Sequence, residues 1–149
     1  MQIGKICKRK VVCCGLDATA LEAAQTMRTE HVGDIVVIDD RDGRRRPVGI
    51  VTDRDLIVQV VAKAVDPTSV CASEVMGPEL IVAEEHEDIY ETVQRMRWKG
   101  VRRVPIVNAQ GDLIGIASAD DLTEVLSEAL ADVARISSRQ RTFEERKLP

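Results

Sequence analysis

The chain repeats itself, and no other feature constrains its fold as much. With an offset of 69, Ile6 falls on Val75, Val11 on Leu80, Val12 on Ile81, Glu22 on Glu91, Gln25 on Gln94, Met27 on Met96, Arg28 on Arg97 and Val32 on Val101. Ile35-Val36-Val37-Ile38-Asp39 then lies on Val104-Pro105-Ile106-Val107-Asn108. After that the offset shortens to 66, so the first copy carries three extra residues in its Arg41–Pro47 loop. The copies end alike, as Gly49-Ile50-Val51-Thr52-Asp53-Arg54-Asp55-Leu56 and Gly115-Ile116-Ala117-Ser118-Ala119-Asp120-Asp121-Leu122. A half-sized unit leaves one apolar face uncovered, so two such units are expected to pack on each other.

Each octet reads as a glycine, an apolar strand end, a hydroxyl residue and, three positions on, an Asp that opens a helix. Ser or Thr followed at that distance by an acid is the capping-box pattern, which orders helix amides in any protein. The functional alternative is a nucleotide held at the strand-to-helix turn, with phosphate near the amides and ribose hydroxyls on the carboxylate. Capping alone would accept Glu at either place. Asp at both Asp55 and Asp121 therefore favours binding.

The hydropathy pattern gives the same order of elements twice. Lys10 to Cys14 is extended, and a helix then starts at Asp17 or Thr19 with Ala20, Leu21, Ala24, Met27 and His31 at helical spacing. Ile35–Asp39 and Val48–Val51 form a hairpin with a charged tip. In the second copy these become the strand Leu80–Ala83, a helix burying Ile89, Val93 and Met96, the segment Val101–Asn108, and a strand from Leu113 to Ala117. Leu56–Val65 is apolar on nearly every side, so it is expected to be sandwiched or to bury a second molecule. Residues 1–66 and 67–135 are read as the two repeats, joined at Asp66-Pro67-Thr68-Ser69. Residues 136–149 are read as a polar tail, disordered or a frayed extension of the last helix, whose stripe is Leu122, Val125, Leu126, Ala129, Leu130 and Val133.

Charge and composition narrow the function. A net charge of -4, a pI near 5.3 and only Tyr90, Trp98 and Phe143 as aromatics argue against nucleic acid as a partner. The apolar run Val11–Leu16 after Lys8, Arg9 and Lys10 stops too early for a signal peptide. No membrane contact is expected, and the chain is placed in the cytoplasm. Cys7, Cys13, Cys14 and Cys71 fit no zinc spacing and are read as small hydrophobes in a reducing compartment. No nucleophile stands with a base and no metal cluster is evident, so no catalytic residue is assigned. Arg44, Arg45 and Arg46 are read as a solubilising loop tip. Arg102 and Arg103, neighbours at the mouth of a strand, are expected to send at most one side chain into any cleft, where it could clamp a phosphate.

The paired octets, Val101-Arg102-Arg103-Val104-Pro105-Ile106-Val107-Asn108 and the β-α-β-β-α order used twice resemble a tandem pair of CBS domains, the cystathionine β-synthase-type or Bateman module, over residues 3 to 134. The resemblance implies an α+β fold of two pseudo-symmetric repeats packed as one module. It also implies a stand-alone regulatory function: binding AMP, ADP, ATP, NAD-like or S-adenosylmethionine-type ligands in clefts between the repeats, without catalysis, as a homodimer signalling to an effector protein in trans. Carried over, Asp55 and Asp121 take the ribose hydroxyls, Thr52 and Ser118 lie against phosphate or ribose, and Arg54 offsets phosphate charge. The adenine would rest near Val11, Val12 and Ile35 in one site, and near Leu80, Ile81 and Val104 in the other. Asp34 and Val36 depart from the pattern in the first copy. In the second, Asp120 beside Asp121 would repel a polyphosphate unless Arg102 or Arg103 offsets it, which favours AMP there. The competing reading is a ligand-free interaction module whose octets are helix caps only.

Overall fold

The computed structural model describes residues 1–148. It divides into a compact unit, Met1–Ala117, and a second that begins at Ser118. The first holds β1 (Cys13–Gly15), α1 (Ala20–Glu30), β2 (Asp34–Asp39), β3 (Arg46–Thr52), α2 (Asp53–Leu56), α3 (Ala72–Val75), β4 (Ala83–Glu84), α4 (Ile89–Lys99), β5 (Arg103–Val107) and β6 (Leu113–Ser118), which runs into the second unit. α2 continues as a π-helical turn over Ile57–Val61. The second unit is essentially one helix, α5 (Ala119–Lys147).

The strands make two three-stranded sheets, β1-β2-β3 and β4-β5-β6, one per repeat. In the first, β1 runs parallel and β3 antiparallel to β2, as a strand-helix-strand crossover followed by a hairpin requires. The β2–β3 register slips between Val37 and Ile38, because Val37 faces Gly49 while Ile38 faces Pro47, leaving Val48 as a bulge. Ile35–Ile38 of β2 is apolar throughout because both faces of the strand are covered. Ile35 and Val37 point into a core with Ala20, Ala23, Met27, Val51, Leu56, Val60, Ala72 and Val75. Val36 and Ile38 point the other way, against Leu113 with Val11, Cys13, Ile50 and Ile116. That second cluster joins the repeats. The alternation also puts Cys14 on one face and Cys13 on the other.

The leading turn of each repeat is docked on the other repeat. Ile3–Lys5 forms a 3-10 turn whose Ile3 and Gly4 amides donate to the carbonyls of Glu87 and Glu85, both at 2.9 Å, while Lys8 bridges to Ile116. Its counterpart α3 sits on the first repeat: the Ala20 amide donates to Val70 O at 2.8 Å, that of Ala72 to Ala18 O at 2.7 Å, and Ser73 Oγ to Leu16 O at 2.9 Å. This exchange explains the glycine that opens each octet. A Cβ on Gly49 would collide with the sulfur of Met76, and one on Gly115 would lie 2.6 Å from Cys7 Sγ, Cys7 and Met76 being equivalent residues of the two leading turns.

Several local expectations change. α1 buries Ala20, Ala23 and Met27, not Ala24, which is exposed, and its Thr19–Glu22 capping box fixes the start at Thr19. His31 caps its end in the left-handed region, φ 55°. α4 buries Thr92 beside Ile89 and Met96, with Val93 only half-buried; Thr92 Oγ1 donates to Glu87 and to the Asp88 carbonyl. β4 spans Ala83–Glu84 and so keeps only Ala83 of the expected Leu80–Ala83. The four cysteines are free and half-buried. Of the two readings of the tail, the structure takes the helix extension: α5 runs on to Lys147, twelve residues past the 135/136 boundary.

Candidate functional site

The first octet folds into the turn its sequence announces. Thr52 ends β3, its Oγ1 accepts the Asp55 amide at 3.1 Å, and Asp55 Oδ2 accepts the Thr52 amide at 2.8 Å. The reciprocal bonds hold the carboxylate at the end of β3, half-buried. The second octet builds the same box at the start of α5: Ser118 Oγ accepts the Asp121 amide at 3.1 Å, and Asp121 Oδ2 accepts from the Ser118 amide at 3.0 Å. Both octets are therefore caps, as the blander reading held. The first opens onto a cleft.

That cleft, of about 370 Å3, lies within the first compact unit and is lined by Thr52, Arg54 and Asp55 with Ile50 on one side, and by Glu79, Leu80, Ile81, Val101, Arg102 and Arg103 on the other, with Gly77 and Gly100 at its ends. Its volume falls in the range of small-molecule sites, roughly 300–1,000 Å3. The two walls come from different repeats. This redistributes the residues read from the sequence: Leu80, Ile81, Arg102 and Arg103 stand with Thr52, Arg54 and Asp55 of the first octet. Both arginines line the cleft, against the expectation of one, because Arg102 precedes β5 and escapes strand alternation.

The cleft carries both signs of charge. Arg103 Nε donates to Asp34 Oδ1 at 2.7 Å, an ion pair between β5 and β2. Burial pushes the Asp34 carboxyl above its ordinary range, Arg103 pulls it back, and Asp53 raises it further. Asp34, a blemish in the sequence reading, is thus the tether of an arginine. Glu79 pairs with Lys99 at 2.9 Å, which lowers its pKa chiefly through that hydrogen bond. Three arginines stand against Asp55, Glu79 and the Asp34 that Arg103 already holds, so matched charges of both signs lie along an apolar floor of Ile50, Leu80, Ile81 and Val101. Such a surface suits an anionic head, hydroxyls and a flat apolar ring. Glu79, Gly100 and Val101 were not singled out as site residues, although Val101 opens the quoted Val101–Asn108 segment.

Ile35 and Val104 are fully buried, so their side chains belong to the core. Val11 and Val12 are half-buried against the two apolar clusters of the first sheet. The Arg44–Arg46 loop does more than solubilise. Arg44 Nε donates to Asp112 Oδ1 at 3.1 Å and its Nη2 to the Gln110 carbonyl, Arg45 Nη2 reaches Cys13 Sγ at 3.3 Å, and Arg46 pairs with Asp42. Two other clefts are roomier but more open. One, of about 730 Å3, is edged by Glu84, Glu87, Arg95 and Asn108, and its Arg95 is already clamped on Glu87. The other, of about 520 Å3, runs beside Trp98 on α4.

Among the described residues no three His, Cys, Asp or Glu side chains are grouped to hold a metal ion, and no helix is long and apolar enough to cross a membrane.

A β-α-β-β-α order used twice, with the leading turns exchanged, defines a class of fold, and comparison with known proteins bears that fold out. The CBS domain model matches residues 3–62 and 72–128, and the chain belongs to the CBS domain family. An uncharacterized protein of Methanopyrus kandleri is 34% identical over 145 residues, covering 97% of this chain and 71% of its own. A crystal structure of Hypoxic Response Protein I with two coordinated zinc ions superposes with a TM-score of 0.73 at 29% identity, covering 83% of this chain and 98% of that one. A CBS domain protein from Pyrobaculum aerophilum complexed with AMP gives a TM-score of 0.73 at 30% identity, covering 82% of this chain and 90% of that one.

Proposed function

We propose that this protein is a regulatory module that binds an adenosine-containing ligand in the cleft between its repeats and passes its state to an effector protein in trans, without catalysing a reaction. The observation that carries the reading is the convergence of Arg54, Arg102 and Arg103 with Asp55 over the Ile50, Leu80, Ile81 and Val101 floor. The arginines take the phosphate, Asp55 takes the ribose hydroxyls through the carboxylate its cap holds in place, and the adenine lies on the aliphatic floor. The modest volume favours AMP over ATP, NAD or S-adenosylmethionine, and the Pyrobaculum aerophilum relative complexed with AMP supports that order. Ser118 and Asp121 are proposed as a second ribose-binding turn. Ile57, Val58 and Val61 stand exposed after α2, along the expected Leu56–Val65 surface, and are proposed as a homodimer contact.

Ligand binding draws Arg103 from Asp34 toward phosphate, and this couples occupancy to the ion pair between β2 and β5. The test is thermal unfolding with AMP, ATP, NAD, S-adenosylmethionine and GMP as control. Ligand at a hundredfold over its dissociation constant stabilises by about 2.7 kcal/mol, which at this size is roughly 5–11 °C. The AMP shift should vanish in Asp55→Ala and shrink in Arg103→Ala, each compared with its own ligand-free baseline because Asp55 is also a cap. No shift with any adenylate would leave the interaction-module reading instead.

A further inference from the structure

α5 carries an apolar seam that its own chain leaves open. From Ala129 onward, Ala129, Val133, Ile136, Gln140, Phe143 and Lys147 alternate in steps of four and three, a 3.5-residue repeat rather than the 3.6 of a helix lying on a globular core. Val133 and Ile136 are each 62% exposed, Phe143 49%, and Leu130, which flanks the seam, 70%. Nearer the start of the helix the seam residues are less exposed, Leu122 being buried and Leu126 half-buried. The open part is therefore about two and a half heptads.

We infer that this open seam is occupied by the same segment of a second copy of the chain, as a parallel two-stranded coiled coil. The flanking charges choose both the partner and the direction. In a parallel pair each residue just before the first seam position of a heptad faces, five residues on, a flanking residue of the other helix. Arg139 then faces the partner's Glu144, twice by symmetry, and Asp132 faces the partner's Ser137 without conflict. Like also meets like along the seam: Ile136 on the partner's Ile136 and Phe143 on the partner's Phe143, with Gln140 on the partner's Gln140 and, in the last turn, Lys147 on the partner's Lys147 as the polar layers. An antiparallel pairing of the same open stretch sets Arg139 against the partner's Arg139 and Ile136 against the partner's Gln140. Shifting that pairing toward the start of the helix would draw on Leu122, which is buried, and Leu126, which is half-buried. Within one helix, Arg139 lies 5.3 Å over the Phe143 ring, so its charge is already at the edge of the seam. The pairing involves none of Ile57, Val58 and Val61 and needs no nucleotide.

The test uses the full chain without ligand, followed by non-reducing electrophoresis under a glutathione redox buffer. Ile136→Cys places a thiol in the seam, where parallel helices bring the two copies within disulfide reach; Ser138→Cys places one on the opposite face. The unsubstituted chain sets the background from its four native cysteines. The expected result is a disulfide-linked dimer forming at least tenfold faster for Ile136→Cys than for Ser138→Cys. Equal rates would overturn the proposal. So would preferential cross-linking of a mixture of Val133→Cys and Phe143→Cys chains, which only the antiparallel pairing brings together. Because the readout is the position of a covalent link, a dimer held by another face leaves Ile136→Cys no faster than Ser138→Cys and counts against it.

Discussion

Ile3→Ala tests the exchanged leading turns most directly. Ile3 is fully buried, yet it lies in a 3-10 turn of three residues near the start of the chain, where a side chain would ordinarily be dispensable. Its turn is held by amide bonds from Ile3 and Gly4 to Glu87 and Glu85, and the Ile89 amide returns to the Met1 carbonyl at 2.8 Å. Removing a buried isoleucine to alanine costs roughly 2–5 kcal/mol, from lost transfer energy and the cavity left behind. For a chain near 150 residues, each kcal/mol moves Tm by about 2–4 °C, so the melting point should fall by roughly 4–20 °C. Differential scanning calorimetry on both proteins measures it, with Met1→Ala, whose side chain is mostly exposed, as the control. Limited proteolysis should also cut the variant first near Lys5, Lys8 or Arg9 if the turn has come away. A fall below about 1 °C would refute the argument, because it would mean the turn rests on the second repeat without contributing to its core.

Two further outcomes follow from titrating groups. Burial pushes the Cys14 thiol up to about 11 from an ordinary 9.0, so at pH 8 its thiolate fraction is lower by about a hundredfold; iodoacetamide mass mapping should find it alkylated far more slowly than a small free thiol, and an equal rate would contradict its burial. The Asp39 carboxyl is held down to about 2 from 3.8, mainly by its hydrogen bonds from Arg41, and Asp66 and Asp88 are lowered as well. A lowered folded pKa stabilises above the unfolded value and is lost as pH falls through the folded one. Tm should therefore drop between about pH 4 and pH 2, and Asp39→Asn should flatten that limb slightly, since the group is exposed and solvent-screened.

The repeat made most of this fold legible. Each octet is a local signal, a cap whose hydroxyl and acid stand at fixed spacing, and local signals survive without tertiary knowledge. The hairpin of Ile35–Asp39 and Val48–Val51 was legible for the same reason, as two apolar runs about a charged turn. What the sequence hid was which repeat supplies which wall of the cleft. Periodicity assigns Arg102 and Arg103 to the second copy but carries no information about packing across the pseudo-symmetry, so they were grouped with Asp121. The exchange of the leading turns was hidden too, since Ile3–Ile6 and Ala72–Val75 look alike wherever they dock. The reach of α5 was left open between disorder and a helix extension because the apolar stripe thins after Val133 and the composition turns polar.

The exchanged turns also bear on how such a module could arise. The operation that lays the first repeat's leading turn on the second lays the second's on the first, so the arrangement is reciprocal and closed. A chain carrying a single repeat would satisfy it only by meeting another copy of itself and trading turns. Joining two copies end to end, through a connection as short as Asp66-Pro67-Thr68-Ser69, converts that encounter into a fold that assembles at any dilution. The two halves are then free to diverge, one keeping arginines where the other keeps an aspartate, while neither can be discarded.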